Sequence, residues 1–163
     1  MTSETDNPYG WLADEHSDDA RWAYGTGFTD PLAGIDTAVP ADVDAGSLAT
    51  FCLALGDDAL IYSHRLQQWM TRMPELEEET AIANIALDLL GQARMLLARA
   101  GAILGRTEDQ LAFFRDEQEF RNVRLVESLD TDFGELVGRL LLFTSWRLAL
   151  FERLADHEDP VLA

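Results

Sequence analysis

From Gly46 onward the chain repeats apolar residues at three- and four-residue spacing, and that periodicity restricts most of it to helices. Leu48, Cys52, Leu55, Ala59, Tyr62, Leu66, Met70 and Met73 form the first stripe, with Ser47 as the expected N-cap and Pro74 as the break. A second stripe, Ile82, Ile85, Ala86, Leu89, Ala93, Leu96, Leu97, Ala100 and Leu104, runs to Gly105. It starts behind Glu75, Glu77, Glu78 and Glu79, whose charge suits the positive end of a helix dipole. Thr107 and Gln110 have the spacing of a capping box for a short helix through about Glu117, and "EFRNVRLVE" reads as a connector. A third long helix is expected from about Thr131 to Ala155, with Pro160 beyond its end. Long helices, short connections and no convincing strand pattern predict an all-α bundle.

The third helix is apolar on more than one side. Leu136, Leu140, Phe143, Trp146, Leu150 and Leu154 are joined by Val137, Leu141, Leu148 and Phe151. A helix apolar all round has to be covered all round, and three long helices supply too little cover. Either a partner does so or the sequence is an N-terminal fragment of a longer bundle; Phe143, Trp146 and Leu150 are the expected contacts in both cases.

Residues 1–45 differ from the rest. They hold ten acidic residues and one Arg, with Pro8, Pro31, Pro40 and "GTGFTDPLAG" breaking any regular pattern. An acidic disordered tail is one reading. Trp11, Trp22, Tyr24 and Phe28 favour another, an irregular arm that lays aromatic rings on a surface, its own or a partner's, since disordered tails are poor in aromatics. The expected division is therefore an acidic arm, 1–45, and a helical domain, 46–163. A net charge of −18, with Arg as the only basic side chain besides His, argues against nucleic acid or an anionic membrane as partner. There is no uninterrupted run of about 18 apolar residues, and the acidic start lacks the pattern of a signal peptide. A lone Cys52 excludes an internal disulfide and fits a reducing compartment. A soluble cytoplasmic protein is expected.

Helical bundles build di-metal sites from Glu and Glu-x-x-His on facing helices. Three residues before His16, His64 and His157 stand Ala13, Ile61 and Leu154, so no Glu-x-x-His exists. Asp57 and Asp58 are adjacent on a helix, about 100° apart, and do not converge on one point. "GTGF" has neither the spacing nor the preceding strand of a phosphate loop. One polar feature stands out: Asn84, Asp88 and Gln92 form a line along an otherwise Leu-rich second helix. Two placements are open, a buried line whose members satisfy one another or Arg65, and the solvent edge of the stripe.

"LGDDALIYSHRLQQW", "PELEEETAIANIALDLLGQAR" and "LAFFRDEQEFRNVRLVE" resemble the structural, non-catalytic subunit of the bacterial phenylacetyl-CoA epoxidases, also called phenylacetate-CoA oxygenases, of the phenylacetic acid catabolic protein family. The resemblance covers residues 48–163. It implies a ferritin-like bundle and a hetero-oligomer with a related catalytic subunit, which carries a di-iron centre and epoxidises the ring of phenylacetyl-CoA. Aligned on Trp69 and Gly91, the ligand positions of the catalytic paralogue fall on Ala59, Leu89 and Gln92, with a further carboxylate position near Thr144. The resemblance thus implies no metal or other cofactor in this chain, and an interior shaped for polar groups that would house Asn84, Asp88 and Gln92. Members of the family continue past "DPVLA" into further helices, which again suggests a fragment. Three functional readings stand side by side: a scaffold subunit of a multicomponent di-iron monooxygenase, a di-iron enzyme in its own right, and an unrelated helical protein-binding module.

Overall fold

In the computed structural model, residues 30–163 are described; residues 1–29 of the expected acidic arm, with Trp11, Trp22 and Phe28, lie outside them. The described residues form an all-α ferritin-like bundle without strands, in the order α1 (Ala45–Gln67), α2 (Leu76–Leu104), α3 (Glu108–Phe113), a single 3-10 turn (Glu117–Glu119), α4 (Arg124–Glu127) and α5 (Phe133–Leu154).

Asp44 rather than Ser47 caps α1: its carboxylate accepts from the Ser47 N–H at 2.7 Å, which holds its pKa below the ordinary 3.8. The helix stops at Gln67, short of the end expected near Met73, because the backbone tightens into i to i+3 bonds such as Arg72 N–H to Trp69 C=O at 2.8 Å. Met73 still packs on the core, so the apolar spacing outlasts the helix itself. At the end of α2, Gly105 adopts the left-handed conformation (φ 68°) that closes a helix and that residues with a Cβ rarely adopt. Thr107 and Gln110 form the expected capping box, at 3.1 and 3.0 Å, but the helix they start ends at Phe113.

α1 and α2 make the main seam. Leu48, Cys52, Leu55, Ala59, Tyr62 and Leu66 face Ile82, Ala86, Leu89, Ala93, Leu96, Leu97 and Ala100, all buried in one cluster. Gly56 permits the approach, since a Cβ there would stand 3.0 Å from a Leu97 methyl. By length and hydropathy α1 and α2 would each suffice to cross a membrane. Their apolar sides are spent on each other instead, and α1 carries two buried aspartates at mid-length.

The segment before α1 belongs to this core. Leu32 is buried, Val39 and Val43 pack against the cluster, and the Thr37 carbonyl accepts from the buried Arg99 guanidinium at 2.6 Å. Arg99 also pairs with Asp159, fully buried beyond α5, so one α2 side chain ties the entry and exit of the bundle together. The compact helical unit begins at Pro31, and the boundary expected at 45/46 moves accordingly. The sequence alone hid this because Pro31, Gly34 and Pro40 interrupt the stretch, so that Leu32, Val39 and Val43 do not read as a continuation of the helical stripe that begins at Leu48.

Candidate functional site

At the middle of the bundle α1, α2 and α5 enclose a polar layer in otherwise aliphatic packing. α5 presents Leu136, Phe143, Arg147 and Leu154 inward, at the spacing of one helical face. Phe143 meets Tyr62 of α1 edge to face, with ring centroids 4.6 Å apart. One turn on, the Arg147 guanidinium lies between the rings of Phe143 and Phe151, 5.6 and 4.8 Å from their centroids. Its Nε donates to Gln92 Oε1 of α2 at 2.6 Å and its Nη2 to the Leu55 carbonyl of α1 at 3.2 Å. Its Nη1 is buried without a partner among the described residues, as is the Tyr62 hydroxyl. Burial pulls the Arg147 pKa down to about 10, with Asp58 opposing, and pushes that of Tyr62 up.

The two aspartates next to this layer point apart, as their adjacency on a helix requires. Asp57 is bound by Arg115 through both carboxylate oxygens, one at 3.0 Å, and also accepts the Arg121 N–H at 2.9 Å. The Arg115 guanidinium in turn lies 4.2 Å from the centre of the Phe120 ring. Asp58 accepts the Val123 N–H at 2.6 Å. Together they pin residues 115–123, which include the start of the expected connector "EFRNVRLVE", to the middle of α1. Desolvation pushes the Asp58 carboxyl above 3.8, while the Val123 bond and the Arg147 charge act the other way.

The expected polar line is corrected by this geometry. Asn84 and Asp88 are exposed, and neither bonds the other, Gln92 or Arg65. Only Gln92 turns inward, and its partner is Arg147. The helical period accounts for the split: residues 84 and 88 flank the buried face marked by Ile82, Ala86, Leu89 and Ala93, whereas residue 92 approaches α5. Arg65 instead bonds the Glu127 carbonyl at 2.9 Å and Gln68 at 3.2 Å.

Ala59 and Leu89 are buried in aliphatic contact on the α1–α2 seam. Thr144 is exposed and spends its hydroxyl on the Leu140 carbonyl at 2.8 Å, so the inward position of α5 is Arg147 instead. These residues do not fit a di-iron centre. Ala59 and Leu89 have no donor atom, and the Gln92 oxygen already serves a guanidinium whose positive charge would oppose a second cation. Arg147 in this layer and Arg115 beside it were not singled out from the sequence. A signal was available for Arg147: it stands four residues after Phe143 and seven before Leu154, squarely on the buried face.

Of the expected interface on α5, Phe143 is corrected to core, fully buried against Tyr62. Leu150 is half-buried on the cluster. Trp146 is 43% exposed, and its neighbours Leu141, Leu142 and Leu148 are 65%, 64% and 61% exposed. The second apolar face of α5 therefore exists, but its centre lies at Leu141, Leu142 and Leu148 beside Trp146.

Residues 34–163 match the sequence profile described as phenylacetic acid catabolic protein. The chain is also 46% identical, over 117 residues, to one of the subunits of the 1,2-phenylacetyl-CoA epoxidase of Escherichia coli. That alignment takes in 71% of this chain and 47% of the relative, so the chain spans about half the length of the curated relative it matches. Matched over most of its length, the chain belongs to the phenylacetic acid catabolic protein family.

Proposed function

We propose that this chain is a structural, non-catalytic subunit of a multicomponent di-iron monooxygenase that epoxidises the ring of phenylacetyl-CoA during aerobic phenylacetate breakdown. Family membership and the kinship to an epoxidase subunit support the pathway. The observation that carries the non-catalytic role is the Arg147–Gln92 bond. The helix position at which the resemblance puts a ligand histidine holds an amide engaged by a cation, and the neighbouring ligand positions hold Ala59 and Leu89. A buried guanidinium braces α5 against α1 and α2 at that point. The di-iron centre then resides in a related catalytic subunit of the same cytoplasmic complex, and the apolar face of α5 around Leu141, Leu148 and Trp146 is available to pack against further protein. Large side chains in such patches dominate interface energy.

The test is to co-express the chain with a catalytic subunit of the same family from the same source, purify the complex and measure iron in each separated chain after ferrous reconstitution. Iron confined to the partner is the expected result. About two irons per chain bound by this subunit, lost on Asp58→Asn, would overturn the reading.

A further inference from the structure

Beyond the polar layer, the end of α1 borders a concave pocket of about 400 Å³, lined by Arg65, Gln68, Trp69, Arg72, Ser128, Leu129 and Asp130. Its charge runs against that of the molecule. The chain carries −18, yet two arginines open onto this pocket and its one carboxylate is already neutralised: Asp130, with a side chain 3% exposed, pairs with Arg139 at 2.6 Å. Arg65 is fixed in place by the Glu127 carbonyl and the Gln68 side-chain oxygen. That second bond orients the Gln68 amide so that its NH2 remains a donor. The Arg72 guanidinium makes no hydrogen bond or ion pair among the described residues, although its backbone is anchored at 2.8 Å to Trp69. Beside these donors lie a half-buried indole, Trp69, and Leu129, which is 71% exposed. A planar, apolar wall next to two guanidiniums and an amide suits a flat ring joined to a phosphate: guanidiniums grip phosphate oxygens in pairs, and an indole face stacks a base. The volume lies in the range of small-molecule sites.

We propose that this pocket binds a nucleoside phosphate, with the phosphate on Arg72 and Arg65 and the base against Trp69 and Leu129. Two sources share that chemistry, the 3′-phosphoadenosine end of a coenzyme A thioester and a free 5′-nucleotide. The first would place a substrate-holding role on this subunit and rests on the proposed function; the nucleotide chemistry rests on the pocket alone.

Titration of the full chain, without its partner, with adenosine 3′,5′-bisphosphate, coenzyme A, 5′-AMP and inorganic phosphate, followed by calorimetry, tests the proposal independently of complex formation. Saturable binding of nucleotide, at least tenfold tighter than inorganic phosphate, is expected. Arg72→Ala should weaken it tenfold or more, and Arg153→Ala on α5 should leave it unchanged. Because Arg72 is exposed in a loop, circular dichroism of its variant should match the parent. Tighter binding of the 3′,5′-bisphosphate and coenzyme A than of 5′-AMP assigns the coenzyme A source, and equal binding assigns the free nucleotide. Inorganic phosphate binding as well as nucleotide, no binding at millimolar concentration, or an Arg72→Ala variant that binds normally would overturn it.

Discussion

Midway along α1 two neighbouring aspartates face two regions of the molecule. On the connector side, Asp57 meets Arg115 through both oxygens, receives a backbone N–H from Arg121, and leaves no oxygen without a partner. Asp58 also holds the connector, but through the single backbone N–H of Val123, and its other neighbour is the field of Arg147 in the interior, whose own guanidinium keeps a nitrogen without a partner among the described residues. Burial costs both sides heavily, but only the connector side recovers the cost through bidentate geometry and satisfied lone pairs. On the interior side desolvation wins, raising the Asp58 pKa and lowering that of Arg147 to about 10. A buried charge thus anchors more firmly where its hydrogen bonds are complete than where they are not.

Asp57→Ala should separate the two regions most strongly. It strands the Arg115 guanidinium in the core and releases the connector from α1, for an expected loss of about 3–5 kcal/mol in urea unfolding. A loss below about 1 kcal/mol would show that the anchor contributes no more than a surface ion pair. Arg147→Met keeps an unbranched stem between Phe143 and Phe151 but leaves the Gln92 oxygen and the Leu55 carbonyl without that donor. It should cost about 1–3 kcal/mol, less than Asp57→Ala. If the order reversed in thermal melts of the two variants, the interior side would be the true anchor.

A smaller, pH-dependent effect is expected at Asp58. Its folded pKa lies above the ordinary 3.8, so as pH rises past that value the unfolded chain loses this proton first. The stabilisation linked to the bound proton is complete below 3.8 and is lost as pH climbs through the folded pKa. Asp58→Asn retains an oxygen for the Val123 N–H and cannot ionise, so it should gain stability relative to the parent over that window. A stability difference that stays flat from about pH 3.5 to about pH 7, a range wide enough to hold one titration, would contradict the raised pKa. The smallest effect concerns Cys52. Its thiol is fully buried and pushed up to about 12, chiefly by desolvation, so a thiol reagent at pH 8 should leave it unmodified in the native chain and label it promptly in denaturant.

Much of the fold was legible because helices announce themselves by period. The stripes at 48–66 and 82–104 became the α1–α2 seam, and the Thr107 box and the Gly105 cap needed only local spacing. The site was legible in part. That Asp57 and Asp58 diverge follows from 100° per residue, and that α5 has two apolar faces follows from its composition. Which face is covered did not follow: Phe143 and Leu141 are equally apolar, and only packing against Tyr62 distinguishes them. Likewise Asn84, Asp88 and Gln92 share a line, yet small differences in angle leave two in solvent and bring the third to a guanidinium.

The sequence by itself determined the helical class, the ends of α2 and α5 within about two residues, and the family, since each rests on neighbours in the chain or on a linear match. Tertiary structure alone decided the partners of Asp57, Asp58, Gln92, Arg99, Arg115 and Arg147. The hydrogen bonds that join them to distant segments each span 55 or more residues. A charged side chain in a stripe looks like surface until the chain has folded and excluded the water around it, and what it then bonds depends on which distant segment lies opposite.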